Sequence, residues 1–406
     1  MQYCSSILPN GLRIVYLPSG SNVSYCGFAV NAGTRDETPA EHGLAHFVEH
    51  TLFKGTEKRK AWHILNRMEN AGGELDAYTS KEETLIYTVS LSEDAERAIE
   101  LLADIVFNSR FPEPELEKEK EVIVDEINAC SDTPSELIFD EFENLFFEGH
   151  ELGHNILGDV KSLGTFTRDT CRSFTSRFYN PDNMVFFFYG NTPFGKVLRW
   201  ANKYMLTANL SVTAMNRKPP SSHPPRQIKI NKNLHQTHVI VGGKTCPVFD
   251  EKRTGLHLLN NILGGPGMNS RLNISLREKH GLVYSVESGL TSYTDAGFFT
   301  VYFGCDRQSE SRCLSLIYKE LKRLRDSQLS TSQFAAAVKQ WKGQLGIMSE
   351  QRESLALGLG KSFLRFNRYD DLPEACRKID ALTAGCLLEI ANEIYDESRL
   401  FTLVYL

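Results

Sequence analysis

Nowhere in this 406-residue chain do about 18 apolar residues follow one another, so the sequence offers nothing to span a bilayer. No two cysteines are spaced C-x-x-C, and their number, nine, is odd. In a chain of this length that reads as free thiols in a reducing compartment, not as a disulfide framework. The opening residues lack a positively charged segment followed by an apolar run, so no secretory leader is expected and the default location is cytoplasmic. Basic charge is not in excess either. Lys and Arg total 45 against 51 Asp and Glu, a formal net charge of −6, and no arm or face carries the clustered Lys/Arg that a nucleic-acid partner requires.

What remains is a mildly acidic chain of ordinary globular composition, with 41% hydrophobic and 24% charged residues. Its length suits two to four domains, at roughly 100–200 residues each. The pattern predicts strands over 12–17 and 23–30 and a helix over 39–53, capped by Thr38 with Pro39 in its first turn. Helix 59–70, strand-like residues 74–92, helices 93–108 and 113–130, strand 183–190 and helix 194–207 follow. Four prolines, Pro219, Pro220, Pro224 and Pro225, then fall within a stretch of low apolar density. That stretch, 211–226, reads as a linker between domains 1–210 and 227–406. The second half restarts with strands 227–230 and 238–241, helices 251–264 and 270–279, and strands 282–290 and 297–304. It continues in helices to about 395 and closes with a strand at 401–405. Both halves thus run strands, helices, strands, helices, the order an internal duplication would leave, although residue identity between them is too low to mark a repeat.

The sharpest motif is His46-Phe47-Val48-Glu49-His50, in the first predicted helix. Residues four apart share a helix face, so two imidazoles there can grip one metal ion. Glu49 lies between them and points the same way, placing a carboxylate within reach of a water at that ion. Two His ligands, a carboxylate ligand, an open position and a separate Glu base are the parts of zinc-assisted hydrolysis. H-x-x-E-H is the signature of the inverzincins. A third ligand is needed, and the helix predicted over 113–130 offers Glu119 and Glu126. They are two turns apart on one face with Ile123 between them. One can ligate while the other orients a histidine from behind.

On these residues the chain resembles the inverted zinc peptidases, which include pitrilysin, insulin-degrading enzyme and the mitochondrial processing peptidase. It is most similar to the half-length bacterial members and to the processing peptidase catalytic subunit. Leu8-Pro-Asn-Gly-Leu-Arg13 resembles the family's opening strand. Gly43-Leu-Ala-His-Phe-Val-Glu-His50 with Phe53-Lys-Gly-Thr56 resembles its metal helix nearly residue for residue. The resemblance assigns the third zinc ligand to Glu126 and the acidic residue seven before it to Glu119. It extends to the substrate-pairing strand at Asp76-Ala77-Tyr78-Thr79. In the second half it covers Gly264-Gly265, Ser270-Arg271-Leu272, Arg277-Glu278-Lys279 and Gly281-Leu282-Val283-Tyr284-Ser285.

The resemblance implies an α+β fold of two similar halves, each an antiparallel-rich sheet with helices packed on one side. It implies one Zn²⁺ per chain on His46, His50 and Glu126, with Glu49 as base and Glu119 behind the ligands. Asp76, Ala77 and Thr79 would contact a peptide substrate, and Arg277 with Tyr284 would hold the carbonyl next to the scissile bond. Full-length relatives have four such modules enclosing a chamber. A two-module chain therefore implies a dimer, with an identical or a related partner. The rival function is a non-catalytic polypeptide-binding subunit, a kind of relative that typically loses metal residues, all of which are present here.

Two positions depart from the family pattern. Asp76 stands where Asn is usual, and an ionised Asp only accepts hydrogen bonds. Pro266 interrupts the glycine-rich turn 264–267, so no contact is carried over there. The chain also holds a literal H-E-x-x-H at His150-Glu151-Leu152-Gly153-His154. Gly149, Gly153 and Gly158 argue against a helix there. Leu157 and Val160 replace the glycine and histidine of the extended motif, and no Glu follows Glu151 before Glu251. These residues read as an ordinary polar loop, and His42 as a solvated first-turn residue.

Overall fold

The computed structural model describes residues 2–206, 213–221 and 225–406. Of the expected linker, Ser211, Val212, Ser222, His223 and Pro224 lie outside the described residues. The chain forms two compact units. One comprises Met1–Asn128, His154–Arg217 and Met348–Asp371, the other Ala129–Gly153, Lys218–Ile347 and Leu372–Leu406.

The first unit is built on a six-stranded sheet. Its strands are β1 (Cys4–Ile7), β2 (Arg13–Pro18), β3 (Val23–Val30), β4 (Glu74–Thr79), β5 (Thr84–Leu91) and β6 (Met184–Gly190), in the order β1-β2-β6-β3-β5-β4. Every neighbouring pair is antiparallel except β2 with β6. β6 is buried at every residue, as a central strand covered on both faces must be, so it reads as a continuous apolar run. β3 alternates instead: Cys26, Phe28 and Val30 enter one core while Ala29 enters the other.

The larger core lies under α1 (Leu44–Leu52), α2 (Ala61–Glu69), α3 (Ala95–Asn108), α4 (Glu113–Ser131) and the helix Phe194–Met205. α1 starts five residues later than the sequence pattern predicts, because Gly43 takes a left-handed φ of 93° and ends the preceding turns. Thr38 is not its cap. The Thr38 N–H instead donates to Glu41. The opposite face of the sheet is covered by one helix from far along the chain, Arg352–Phe366. Its Ala356, Leu359 and Phe363 pack with Val15, Leu85 and Phe187.

The second unit adds α5 (Pro134–Phe146) to strands β7 (Gln227–Ile230), β8 (Thr237–Lys244), β9 (Val283–Ser292), β10 (Gly297–Cys305) and β11 (Phe401–Tyr405). Their order is β7-β11-β8-β10-β9, with only β7 and β11 parallel. Without β1, the first sheet has this same order: first strand, last, second, fourth, third. The main helical layer of the second unit holds Arg253–Gly264, Glu310–Asp326 and Ala384–Ile394. α5 covers the other face with Ile138 and Phe142 on Ile240, Phe298 and Leu403.

The expected helical layer is therefore present in each unit, and each second face carries one helix exchanged across the Pro-rich stretch. All nine cysteines are free. Among the described residues no helix is long and apolar enough to cross a membrane.

Candidate metal centre

α1 turns His46, Glu49 and His50 to one side, toward α4 and the end of β4. Among the described residues, His46, His50 and Glu126 form the one cluster of potential ligands whose atoms all lie within 4.8 Å of one another. Glu126 Oε2 is 3.7 Å from His46 Nε2 and 3.6 Å from His50 Nε2. Those separations are too long for hydrogen bonds. They suit a shared ion, since tetrahedral ligands about 2.0–2.1 Å from zinc stand roughly 3.4 Å apart. The rings of His46 and His50 have centroids 4.5 Å apart and planes at 65°, so both Nε2 atoms converge without stacking. These residues fit zinc in donor type, number and spacing.

The two imidazoles are prepared differently. Burial, with His50 alongside, pushes the pKa of His46 down to about 3 and keeps it neutral, the form that ligates. Its Nδ1 is buried without a hydrogen-bond partner among the described residues. His50 is also burdened by burial, but its bond to Glu119 and the charges of Glu49 and Glu126 outweigh it and raise its pKa. His50 Nδ1 lies 3.1 Å from Glu119 Oε1. A proton on Nδ1 facing that carboxylate leaves Nε2 free to bind a metal. Lys54 Nζ holds the other oxygen of Glu119 at 2.6 Å. For Glu119, burial favours the neutral acid, yet the bonds from His50 and Lys54 prevail and lower its pKa.

Glu49 is buried, and its Oε2 has no hydrogen-bond partner among the described residues. Burial raises its pKa, against the opposing influence of the Thr79 hydroxyl and His50. A carboxylate so desolvated is a stronger base than one in water. Thr79 ends β4, which among the described residues pairs only with β5 and so presents the edge of its sheet. Leu75 and Ala77 of β4 pack into the larger core. Asp76, on the alternate face, directs its carboxylate elsewhere. Oδ2 accepts from the Tyr87 hydroxyl at 3.1 Å and Oδ1 from the Ala77 N–H at 2.8 Å. The Tyr87 hydroxyl also reaches Glu353 at 2.8 Å.

The second histidine pair lies in turns, not in a helix. His150 Nε2 is 2.8 Å from the Lys218 carbonyl, and His154 Nε2 is 3.0 Å from Glu37 Oε2. His42 is not a solvated residue of the first helical turn. It precedes α1, is half-buried and stacks on His154. In the second unit, Arg277 lies in the π-helical segment Asn273–Glu278 while Tyr284 stands on the edge strand β9. The guanidinium lies 5.9 Å from the Tyr284 ring centroid, at cation–π range. Tyr284 is 87% exposed, because its position on β9 faces away from the core. Sequence reasoning missed Lys54 as the partner of Glu119, although its place one turn after His50 on the same face was a usable signal.

The chain is similar in sequence and in structure to known peptidases. The model of the Insulinase (Peptidase family M16) family matches residues 13–160, and that of the Peptidase M16 inactive domain matches 165–341. An uncharacterized zinc protease of Rickettsia bellii is 33% identical over 97% of this chain and 95% of its own length. YmxG of Bacillus subtilis, also named an uncharacterized zinc protease, is 32% identical over 97% and 96%. A crystal structure titled as a peptidase M16 inactive domain from Pseudomonas fluorescens superposes with a TM-score of 0.93 at 19% identity, over 100% of this chain and 98% of that one. A protease from Helicobacter pylori superposes with a TM-score of 0.91 at 21% identity, over 100% and 99%. With matched family models together spanning most of its length and full-length relatives above 30% identity, the chain belongs to peptidase family M16.

Proposed function

We propose that the chain is a zinc endopeptidase that hydrolyses peptides or unfolded polypeptide segments. One observation carries this reading: ligand atoms of His46, His50 and Glu126 all lie within 4.8 Å of one another, and the buried Glu49, next to His50 on the same helix, has a carboxylate oxygen with no hydrogen-bond partner among the described residues. His46, His50 and Glu126 would hold zinc, which when bound would supply Lewis-acid polarisation of the scissile carbonyl and make the attacking water more acidic. Glu49 takes a proton from the attacking water and returns one to the leaving amine. Glu119, held by Lys54, keeps the His50 ring in its ligating orientation. The free edge of β4 docks an extended substrate through backbone hydrogen bonds, which are largely indifferent to sequence. Ala77 and Thr79 contribute through that edge. Asp76 contributes only its backbone, since its carboxylate is engaged by Tyr87 and Ala77.

Arg277 and Tyr284 can hold a backbone carbonyl by charge-assisted hydrogen bonds. By module counting, we assign them to the zinc site of a partner chain in a two-fold dimer. The rival, a non-catalytic polypeptide-binding subunit, has no use for a complete ligand set with a desolvated base beside it. Metal analysis of the purified protein, followed by digestion of a peptide library with and without chelator, tests the reading. Chelator-sensitive cleavage by a protein carrying one zinc per chain is expected. A zinc-free protein that binds but never cleaves peptides would favour the rival.

A further inference from the structure

The two histidines of the metal centre differ in what fixes their rings. Glu119 steers His50 from behind, whereas the buried Nδ1 of His46 has no partner among the described residues. His46 therefore stays only where the first turn of α1 puts it.

That turn is held in an uncommon way. The residue before it, Gly43, has no side chain to cap the exposed N–H groups. Glu37, six residues earlier, does so instead. Its Oε2 accepts from the Gly43 N–H at 2.9 Å and its Oε1 from the Ala45 N–H at 2.7 Å. A buried carboxylate thus satisfies two donors and sits at the positive end of the helix.

Glu37 is held in turn by His154, whose Nε2 lies 3.0 Å from Glu37 Oε2. The His154 ring stacks on His42 with centroids 3.9 Å apart and planes at 6°, and the Lys81 ammonium donates to the His154 carbonyl. The backbone just after His154 lies directly on the start of α1. Gly43 and Gly158 both have positive φ, and a Cβ on Gly43 would come within 2.8 Å of Gly158 Cα. A Cβ on Gly158 would come within 2.4 Å of the His42 carbonyl.

We propose that Glu37 and His154 are positioning residues of the metal centre: His154 fixes the Glu37 carboxylate on the first-turn N–H groups of α1, and this sets the backbone from which His46 reaches the ion. The proposal rests on the zinc reading above. The last histidine of the H-E-x-x-H pattern then serves the H-x-x-E-H site without touching its metal.

The test uses the full-length protein. It measures zinc affinity by chelator competition, the visible spectrum of the Co²⁺-substituted form, and thermal unfolding of the metal-free form. His154→Ala should weaken zinc about 10–100-fold, as loss of an outer partner typically does, and alter the Co²⁺ spectrum. His154→Gln retains an N–H that can reach Glu37 and should recover most of the loss. Glu37→Gln turns an amide toward one of the two helix N–H groups and should weaken zinc without unfolding the chain, so it carries the test if His154→Ala does not fold. Because His154 acts through Glu37, adding His154→Ala to Glu37→Gln should cost little more. Parental zinc affinity and an unchanged Co²⁺ spectrum in Glu37→Gln or His154→Ala would overturn the proposal. Complete loss of zinc in His154→Gln with retention in Glu37→Gln would also overturn it, by making His154 a ligand. Zinc that is bound by the parent and lost in Glu126→Gln supports the zinc reading independently, so either failure can be told from the other.

Discussion

Lys54 Nζ stands 2.6 Å from Glu119 Oε2, while Glu119 Oε1 faces His50 Nδ1 at 3.1 Å, so one carboxylate joins an ammonium to an imidazole of the candidate metal centre. Replacing Lys54 with Met leaves Glu119 buried and attached only to His50. Zinc affinity should fall about tenfold or more, and Lys54→Arg should retain most of it. Chelator competition measures both variants. Parental affinity in Lys54→Met would show that the ammonium contributes nothing to the centre.

Glu49→Gln should lower peptide hydrolysis by about 10²–10⁴ with zinc content unchanged, because the residue is a base and not a ligand. Turnover of a quenched peptide, measured beside metal analysis of the same sample, decides it. Cleavage at the parental rate would defeat the assigned mechanism.

Glu126→Gln should strip zinc or greatly weaken it, whereas Glu119→Gln should cost about 10–100-fold in affinity. The structure gives the reason: Glu126 faces both Nε2 atoms, but Glu119 reaches only the far side of His50. Equal zinc in the parent and in Glu126→Gln would reject the ligand assignment.

The shared-site dimer is tested with two inactive variants, Glu49→Gln and Arg277→Ala. Co-refolding an equal mixture makes about half the dimers mixed, each with one intact site. Activity should return to roughly a quarter of the parental level. If each chain completes its own site, the mixture stays as inactive as its components once subunit exchange is confirmed by mass.

Leu359→Ala tests the exchanged helix Arg352–Phe366. Leu359 is fully buried against the first sheet, on the face opposite the metal residues. The expected loss is about 2–5 kcal/mol of stability, with zinc stoichiometry preserved in the folded fraction. Denaturant unfolding of the metal-free protein reads it, and an unchanged midpoint would contradict the packing.

The clustering of the candidate metal residues was legible because helical periodicity places residues four and seven apart on one face, which covers His46 with His50 and Glu119 with Glu126. Choosing Glu126 over Glu119 as ligand needed the family resemblance, since periodicity treats the two alike. The start of α1 was misplaced because Pro39 and Thr38 make good local start signals. The turn was decided instead by Glu37, through bonds to Gly43 and Ala45 that no local pattern encodes. Asp76 was flagged because it departs from the family pattern, where Asn is usual. Its engagement by Tyr87 depends on strand register, which places the two directly opposite each other. Nor could the exchange of α5 and Arg352–Phe366 be read, because an apolar stripe says that a helix is covered but not which sheet covers it.

That exchange bears on the order in which the chain can fold as it is made. The sheet that carries the metal helix has its last strand by Gly190, yet the helix covering Val15, Leu85 and Phe187 ends only at Phe366. During synthesis this sheet must wait, with one apolar face bare, until the chain has been made as far as Phe366. A ribosome stalled between those points would hold a nascent chain with finished strands and an uncovered surface, a state in which folding helpers and proteases have their longest access.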